Sequence, residues 1–359
     1  MATIALAGGG TGGHVYPALA IGDVLKVRGH HVLYYGDAER LEARVAPQRG
    51  YEFRAVRALQ YPRAGLAGKV RFGIGLLRSV IATRGQLRSD GVDVVLGVGG
   101  YISAPPVLAA WTMARARLIH EANVSPGLAN KLCARVANHV LLTFDATSSR
   151  LPGNAPRHTV GVPVNPKILQ GDDQAAAERY GLDPQRPVVV FVGGSLGAVR
   201  INELAVAVAK LDGRDFQVLH LCGPRYHDDV QRELDGQPED FALVAYEDRM
   251  GLAYGIADLV VSRAGATTLA ELCAVGRAGL LIPSPNVTEN HQEHNARGLE
   301  AVGAAQVLIE KDWDLDAAVA RVVSLLGDPA ALRAMSEAAA GQARIDAAEL
   351  AADVVESLL

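Results

Sequence analysis

Five glycines and a threonine lead into a titratable side chain in Gly8-Gly9-Gly10-Thr11-Gly12-Gly13-His14. An imidazole changes charge near neutral pH and can take a proton from an attacking hydroxyl. A glycine turn lets a ligand reach the backbone, because no Cβ stands in the way. Gly8, Gly10 and Gly13 also satisfy the dinucleotide fingerprint, a weak signal by itself. No Lys-Ser or Lys-Thr follows, which excludes the phosphate loop of nucleoside triphosphatases. The plainer reading of His14 is a polar loop residue without chemistry.

A second set of residues runs Arg263-Ala264-Gly265-Ala266-Thr267-Thr268-Leu269-Ala270-Glu271. Thr267 or Thr268 is expected to N-cap the helix that begins there. Glu271, three residues past Thr268, then has two readings. It closes a capping box, or it accepts the hydroxyls of a ribose while the helix N-terminus holds a diphosphate. Asn123, in His120-Glu121-Ala122-Asn123, is either a turn residue or a ligand contact. His291 and His294 lie beside Glu289 and Glu293, but no third ligand of matching spacing is evident. Hydrogen bonding of a sugar by Gln292 is preferred there, and no metal site is assigned.

The elements that must position these residues are strands alternating with helices. Apolar runs at Ile4–Ala7, Val32–Tyr35, Val94–Val98, Leu118–His120 and Val140–Thr143 precede a Gly/Pro-rich connector near 160–166. Val188–Val192, Gln217–Leu221, Leu243–Tyr246, Leu259–Ser262 and Gly279–Pro283 follow it. This order implies an α/β protein with two doubly wound, mostly parallel Rossmann-like domains, residues 1–162 and 163–340. Each has a glycine turn after its first strand, the second being Gly193-Gly194-Ser195-Leu196-Gly197. Ligands bind beyond the carboxyl ends of such strands, so a cleft across which the domains face is the expected site.

The chain has 359 residues, 49% hydrophobic and 21% charged, which suits two globular domains. Cys133, Cys222 and Cys273 lack metal-ligand spacing and read as reduced core residues of a cytosolic protein. The first strand begins at once, so no signal peptide is expected, and no apolar run reaches the roughly 18 to 20 residues that span a bilayer. The net charge of −4 hides a division. Residues 1–162 hold 19 Lys plus Arg against 9 Asp plus Glu, and residues 163–359 hold 16 against 30. Residues 54–89 carry eight cations, among them Lys69, Arg71 and Arg78, and no acid. Phe72, Ile74, Leu76 and Leu77 are interleaved with them, and Trp111 lies in a second acid-free stretch. Apolar side chains among cations suit an anionic membrane surface, at roughly 1 kcal/mol per cation near it. The alternative is a core-facing amphipathic helix with a solvated basic face. Nucleic acid is not favoured, because stacking aromatics are few.

Taken jointly, five motifs in order resemble the MurG glycosyltransferase family nearly end to end. They are Gly9-Gly10-Thr11-Gly12-Gly13-His14, Val95-Leu96-Gly97-Val98-Gly99-Gly100-Tyr101, His120-Glu121-Ala122-Asn123, Gly193-Gly194-Ser195-Leu196-Gly197-Ala198 and Ser262-Arg263-Ala264-Gly265-Ala266-Thr267-Thr268. The resemblance implies a GT-B fold and transfer of N-acetylglucosamine from UDP-N-acetylglucosamine to undecaprenyl-linked lipid I, giving lipid II for peptidoglycan. It implies donor contacts at Thr11, Gly12, Gly13, Asn123, Ser195, Ala266, Thr267, Thr268, Glu271 and Gln292, and a role for His14 at the reacting centre. It further implies a peripheral position on the cytoplasmic face of the cell membrane, with other cell-wall synthesis proteins as partners, and because no Asp-x-Asp metal site is visible no cofactor is expected to be required. A C-terminal helix near 341–359 is expected to pack back on the first domain. The chain departs from the family at Asn165, at His291 and at Glu247-Asp248-Arg249-Met250, where the family has a turn that packs on uracil. Rival readings are a UDP-N-acetylglucosamine 2-epimerase, a nicotinamide-dependent oxidoreductase using the first glycine turn and Asp37, and a lipid-surface adaptor without catalysis.

Overall fold

The computed structural model describes residues 1–58, 65–194, 196–236, 240–287 and 290–359. The chain divides into unit 1, Met1–Asn165 with Arg344–Leu359, and unit 2, Pro166–Ala343.

In unit 1, β1 (Thr3–Ala7), α1 (Gly12–Val27), β2 (His31–Gly36), α2 (Leu41–Gln48), β3 (Glu52–Ala55) and α3 (Leu66–Ser89) come first. They are followed by β4 (Val94–Gly97), α4 (Ala104–Thr112), β5 (Ala116–Glu121), α5 (Leu128–Cys133), β6 (His139–Leu142) and β7 (Arg157–Thr159). The strands form one sheet in the order β3-β2-β1-β4-β5-β6-β7, and every pairing is parallel. Helices on both faces bury the inner strands, which is why those strands read as unbroken apolar runs. Ile4 and Leu6 enter one core with Leu19 and Leu25 of α1, while Ala5 and Ala7 enter the other with Val80 of α3 and Val107 of α4.

Unit 2 repeats the plan with α6 (Asp173–Tyr180), β8 (Val188–Val192), α7 (Val199–Ala209), β9 (Gln217–Leu221), α8 (His227–Glu233), β10 (Phe241–Val244) and α9 (Met250–Gly255). It continues through β11 (Leu259–Ser262), α10 (Ala266–Val275), β12 (Ala278–Leu281), α11 (His291–Ala301), β13 (Ala305–Val307), α12 (Leu315–Leu326) and α13 (Pro329–Ala340). Its sheet runs β10-β9-β8-β11-β12-β13, again parallel. The last helix, α14 (Ala347–Glu356), belongs to unit 1. Ala351, Ala352 and Val355 complete the α1 core, and Glu349, Asp353 and Glu356 all pair with Arg28 of the turn after α1 at 2.6–2.7 Å.

Strand order reverses between β1 and β4, and again between β8 and β11. Those are the switch points at whose carboxyl edges ligands bind. Sequence patterning misses β3, β7 and β13 and sets β10 two residues too late. All four lie at or next to a sheet edge, where one side meets solvent: Glu52-Phe53-Arg54-Ala55 and Arg157-His158-Thr159 have no buried apolar run to detect.

Candidate active site

The first glycine turn ends when α1 opens at Gly12, with Thr11 in extended conformation before it. His14 therefore stands in the first turn of α1 and not in the glycine turn itself. Its Nδ1 lies 3.1 Å from Thr11 Oγ1, a contact that fixes the ring. The turn after β4 closes on the same residue. Gly99 and Gly100 have φ of +95° and +75°. A Cβ on Gly99 would stand 2.7 Å from His14 Cδ2, and one on Gly100 would stand 2.5 Å from the Gly9 carbonyl oxygen. Only glycine satisfies both the dihedral and the approach.

Beneath the turn is a carboxylate. Glu42, in the first turn of α2, is fully buried. It accepts from Gly10 N–H at 3.1 and 3.3 Å and from Asp37 N–H at 3.1 Å. Asp37 in turn accepts from Glu39 N–H at 3.0 Å and Tyr101 O–H at 3.2 Å. The backbone amide and the acid that a nicotinamide dinucleotide would need are thus both engaged by the protein itself, which removes support from the oxidoreductase reading.

Glu121, at the end of β5, is the second buried carboxylate. It accepts from the backbone N–H groups of Asn123 and Gly127 at 2.9 and 3.1 Å, and from the amides of Asn123 and Asn130 at 3.3 and 2.9 Å. Burial pushes its carboxyl up while these donors oppose the shift. Asn123 is therefore set in place by its neighbour. His120 is buried beside it with Nε2 2.8 Å from the Gly161 carbonyl oxygen, and burial lowers its pKa, so the ring is a neutral structural donor.

In unit 2 the decisive turn follows β11. The N-cap of α10 is Gly265, in extended conformation. The expectation that Thr267 or Thr268 caps this helix is wrong, and no capping box forms with Glu271. Gly265 turns the chain directly out of the strand, so the helix starts earlier and Ala266, Thr267 and Thr268 contribute first-turn N–H groups that lack intrahelical acceptors. Thr267 Oγ1 is buried and has no hydrogen-bond partner among the described residues. Glu271, one turn on, receives Tyr254 O–H at 3.2 Å. Burial pushes its carboxyl up to about 7, against that hydrogen bond. Gln292 uses its carbonyl to accept Ser284 N–H at 2.9 Å. Asn295, fully buried, reaches the Ala264 carbonyl at 3.4 Å, and Arg263 donates to the Ile282 carbonyl at 3.0 Å and pairs with Glu310. These bonds hold the β11–α10 turn from two sides.

The glycine turn after β8 has Gly194 and Gly197 at positive φ. A Cβ on Gly193 would lie 2.4 Å from Ala198 N. Ser195 lies outside the described residues, as does Glu289. Among the described residues no group of three His, Cys, Asp or Glu side chains stands together as metal ligands.

Two family models match the chain: the glycosyltransferase family 28 N-terminal domain over residues 4–142 and the C-terminal domain of the same family over 188–351. A UDP-N-acetylglucosamine–N-acetylmuramyl-(pentapeptide) pyrophosphoryl-undecaprenol N-acetylglucosamine transferase of Clavibacter sepedonicus is 43% identical over 364 residues, covering 99% of this chain and 96% of that protein. The chain belongs to the MurG family. The Salinibacter ruber enzyme of the same name is 38% identical over 98% of this chain and 96% of its own length. The crystal structure of Acinetobacter baumannii MurG superposes with a TM-score of 0.80 at 26% identity, over 99% of this chain and all of that one. The two parallel-sheet units are accordingly a GT-B fold.

Within this MurG-family chain, two features escaped the sequence reading. Glu247, a departure from the family's turn, is nearly fully buried. It accepts from Arg179 at 2.7 and 3.3 Å, Tyr180 O–H at 2.8 Å and Arg249 N–H at 2.8 Å, and these donors hold its carboxyl down at about 2 against burial. The substituted turn is thus pinned to α6. Glu42 is the other. Its trace in the sequence is faint, since Gly9 fits no position of the Gly-x-Gly-x-x-Gly spacing but neither does Gly12, where a Cβ would meet only Tyr16 of its own helix and Leu41.

The basic-apolar helix α3 divides into stripes. Val70, Ile74, Leu77 and Ile81, spaced four, three and four, are each at least half exposed, as is Trp111 on α4. Leu76 packs with Val80 and Leu87 against the core, so its assignment to the outer surface is corrected: it lies on the other side of the helix from Leu77's stripe. Phe72 is half-buried, and Lys69, Arg71 and Arg78 are exposed. Among the described residues no helix is long and apolar enough to cross a membrane.

Proposed function

We propose that the chain transfers N-acetylglucosamine from UDP-N-acetylglucosamine to the 4-hydroxyl of the muramyl sugar of undecaprenyl-linked lipid I, forming lipid II for peptidoglycan. The observation that carries this reading is the first turn of α10, where the buried Thr267 hydroxyl, without a partner among the described residues, adjoins helix N–H groups that have no intrahelical acceptor, with the Glu271 carboxylate one turn away. Helix N-termini favour phosphate, and a carboxylate can accept both hydroxyls of a ribose. Ala266, Thr267 and Thr268 are read as diphosphate contacts, Glu271 as the ribose contact and Gln292 as a sugar contact. Asn123, Thr11, Gly12 and Gly13 serve the reacting sugar, and Ser195 adds a donor for the diphosphate.

His14 takes the proton of the acceptor hydroxyl as its oxygen attacks the anomeric carbon. The bond from that carbon to the diphosphate oxygen breaks with its electron pair, and the sugar inverts in one displacement. In the tautomer whose Nδ1–H donates to Thr11 Oγ1, the His14 ring offers its basic lone pair at Nε2. Charge on departing UDP is met by backbone N–H groups and the Thr267 hydroxyl. The reading requires no cofactor. The exposed stripe of α3 with Trp111, bordered by Lys69, Arg71 and Arg78, rests on anionic lipid at the cytoplasmic face of the cell membrane, where an acceptor with a polyprenyl tail resides. Incubation of the protein with radiolabelled UDP-N-acetylglucosamine and a lipid I analogue should give labelled lipid product. Turnover of the sugar nucleotide without labelled lipid would replace this reading with the 2-epimerase.

A further inference from the structure

The glycines of the first turn make room for part of the protein itself. A Cβ on Gly9 would stand 1.9 Å from Glu42 Oε1, and one on Gly36, at the end of β2, 2.5 Å from Glu42 Cγ. Two positions without side chains therefore shape the space that Glu42 fills. Within it, both carboxylate oxygens take the N–H of Gly10 and one also takes that of Asp37. Gly10 is the second glycine of Gly8-x-Gly10-x-x-Gly13, whose backbone amide meets the pyrophosphate in a dinucleotide fold. Among the described residues no Lys, Arg or His pairs with Glu42; its charge is balanced by backbone amides and by its place in the first turn of α2.

We propose that Glu42 decides what the glycine turn of unit 1 binds. Its carboxylate stands where a ligand phosphate would stand, which closes the turn to anions, and it holds Gly9–Gly10 as the fixed support beside His14. Gly9 and His14 both border Gly100, so a shift of the turn moves the surroundings of the imidazole directly. An anion that approached would meet a buried negative charge at short range, and at low dielectric that repulsion is not screened. A neutral hydroxyl meets no such penalty. Glu42 is a positioning and specificity residue, not a catalytic one. The positioning half rests on the reading of His14 as base, and the exclusion of anions does not.

The test uses the full chain, wild type beside Glu42→Gln and Glu42→Ala, with circular dichroism melts to establish that each is folded. UDP is kept saturating so that the nucleotide site of unit 2 is filled, and inorganic pyrophosphate is titrated by calorimetry. Wild type should give no pyrophosphate site, and Glu42→Ala should gain one at least about tenfold tighter than any wild-type binding, the effect of restoring one charge-assisted amide contact. Turnover of Glu42→Ala should fall about ten- to a hundredfold with the KM for UDP-N-acetylglucosamine within about twofold, as loss of a transition-state interaction predicts. Glu42→Gln, which keeps the volume and one acceptor oxygen, should recover part of kcat. If Glu42→Ala does not fold, Glu42→Gln alone must gain pyrophosphate binding and lose kcat. Equal pyrophosphate binding in wild type and the folded variants overturns the exclusion, and unchanged kcat overturns the positioning. His14→Ala is measured in parallel: if it retains turnover, the base assignment falls while the pyrophosphate result stands by itself.

Discussion

The glycine turn after β1 and the helix turn after β11 each lie at a strand end beside the point where the sheet order reverses, although in strand order β1 matches β8 and β11 matches β4. They are filled in opposite ways. In unit 1 a buried carboxylate takes the amide of Gly10, and the next glycine turn packs on the ring of His14. In unit 2, among the described residues, no carboxylate accepts from the helix start after β11, and the Thr267 hydroxyl has no partner. One βα architecture thus supports two electrostatic tasks. A turn that has supplied its own anion suits a neutral, proton-donating group, whereas a turn with unmet donors suits a diphosphate.

The sharpest way to break this contrast is at His14. Its replacement by Ala should lower kcat by about 10²–10⁴-fold, the range of general-base assistance, while UDP affinity measured by calorimetry stays within about threefold. Comparable losses in both would merge the two tasks into one site. Next is Glu271→Gln, which should weaken UDP about 10- to 100-fold by removing charge-assisted hydrogen bonds. Because the Glu271 carboxyl titrates at about 7 against an ordinary 4.5, the folded apo-protein holds a proton that the unfolded chain releases. Its stability contribution is complete below about 4.5 and is lost as pH rises through 7. Denaturant titrations should show that slope in wild type and lack it in Glu271→Gln, and wild-type UDP affinity should climb over the same window as the ionised acceptor forms.

The charge division between the halves gives a third test. Ile74→Ser and Leu77→Ser should each reduce binding to phosphatidylglycerol vesicles by about tenfold, the effect of about 1.4 kcal/mol of lost apolar insertion. Leu76→Ser should lower the melting temperature and leave vesicle partitioning of the folded protein unchanged. Equal release by Leu76→Ser would mean that the stripe is not the contact. The smallest effect is expected at Thr267→Val, which keeps the shape but deletes the unpartnered hydroxyl. It should weaken UDP about fivefold, near 1 kcal/mol for one hydrogen bond, yet leave the apo-protein equal or slightly more stable.

How much of this was legible in the sequence follows from what each feature depends on. Central strands such as Ile4–Ala7 and Val188–Val192 are buried on both faces, so their residue types alone declare them. The glycine turns and the Arg263–Glu271 segment declare themselves by composition. Their roles were harder to read. The spacing of Thr268 and Glu271 imitates a capping box, but the chain reverses at Gly265 and the cap falls elsewhere. Glu42 is one acid in the charged stretch Asp37-Ala38-Glu39-Arg40-Leu41-Glu42, and only the fold brings it under Gly9, thirty-three residues away along the chain. Glu247 looked like the loss of a family feature because its partners Arg179 and Tyr180 lie on a helix far back in the chain. Leu76 and Leu77 are neighbours in sequence but belong to different stripes of α3, and only contacts decide which one faces out.

Amide hydrogen exchange with and without UDP tests the central contrast most directly, because unbonded first-turn amides exchange freely until a ligand engages them. Protection over Ala266–Thr268 with no change over Gly8–Gly12 is the predicted result. Protection at Gly8–Gly12 with α10 unaffected would contradict it.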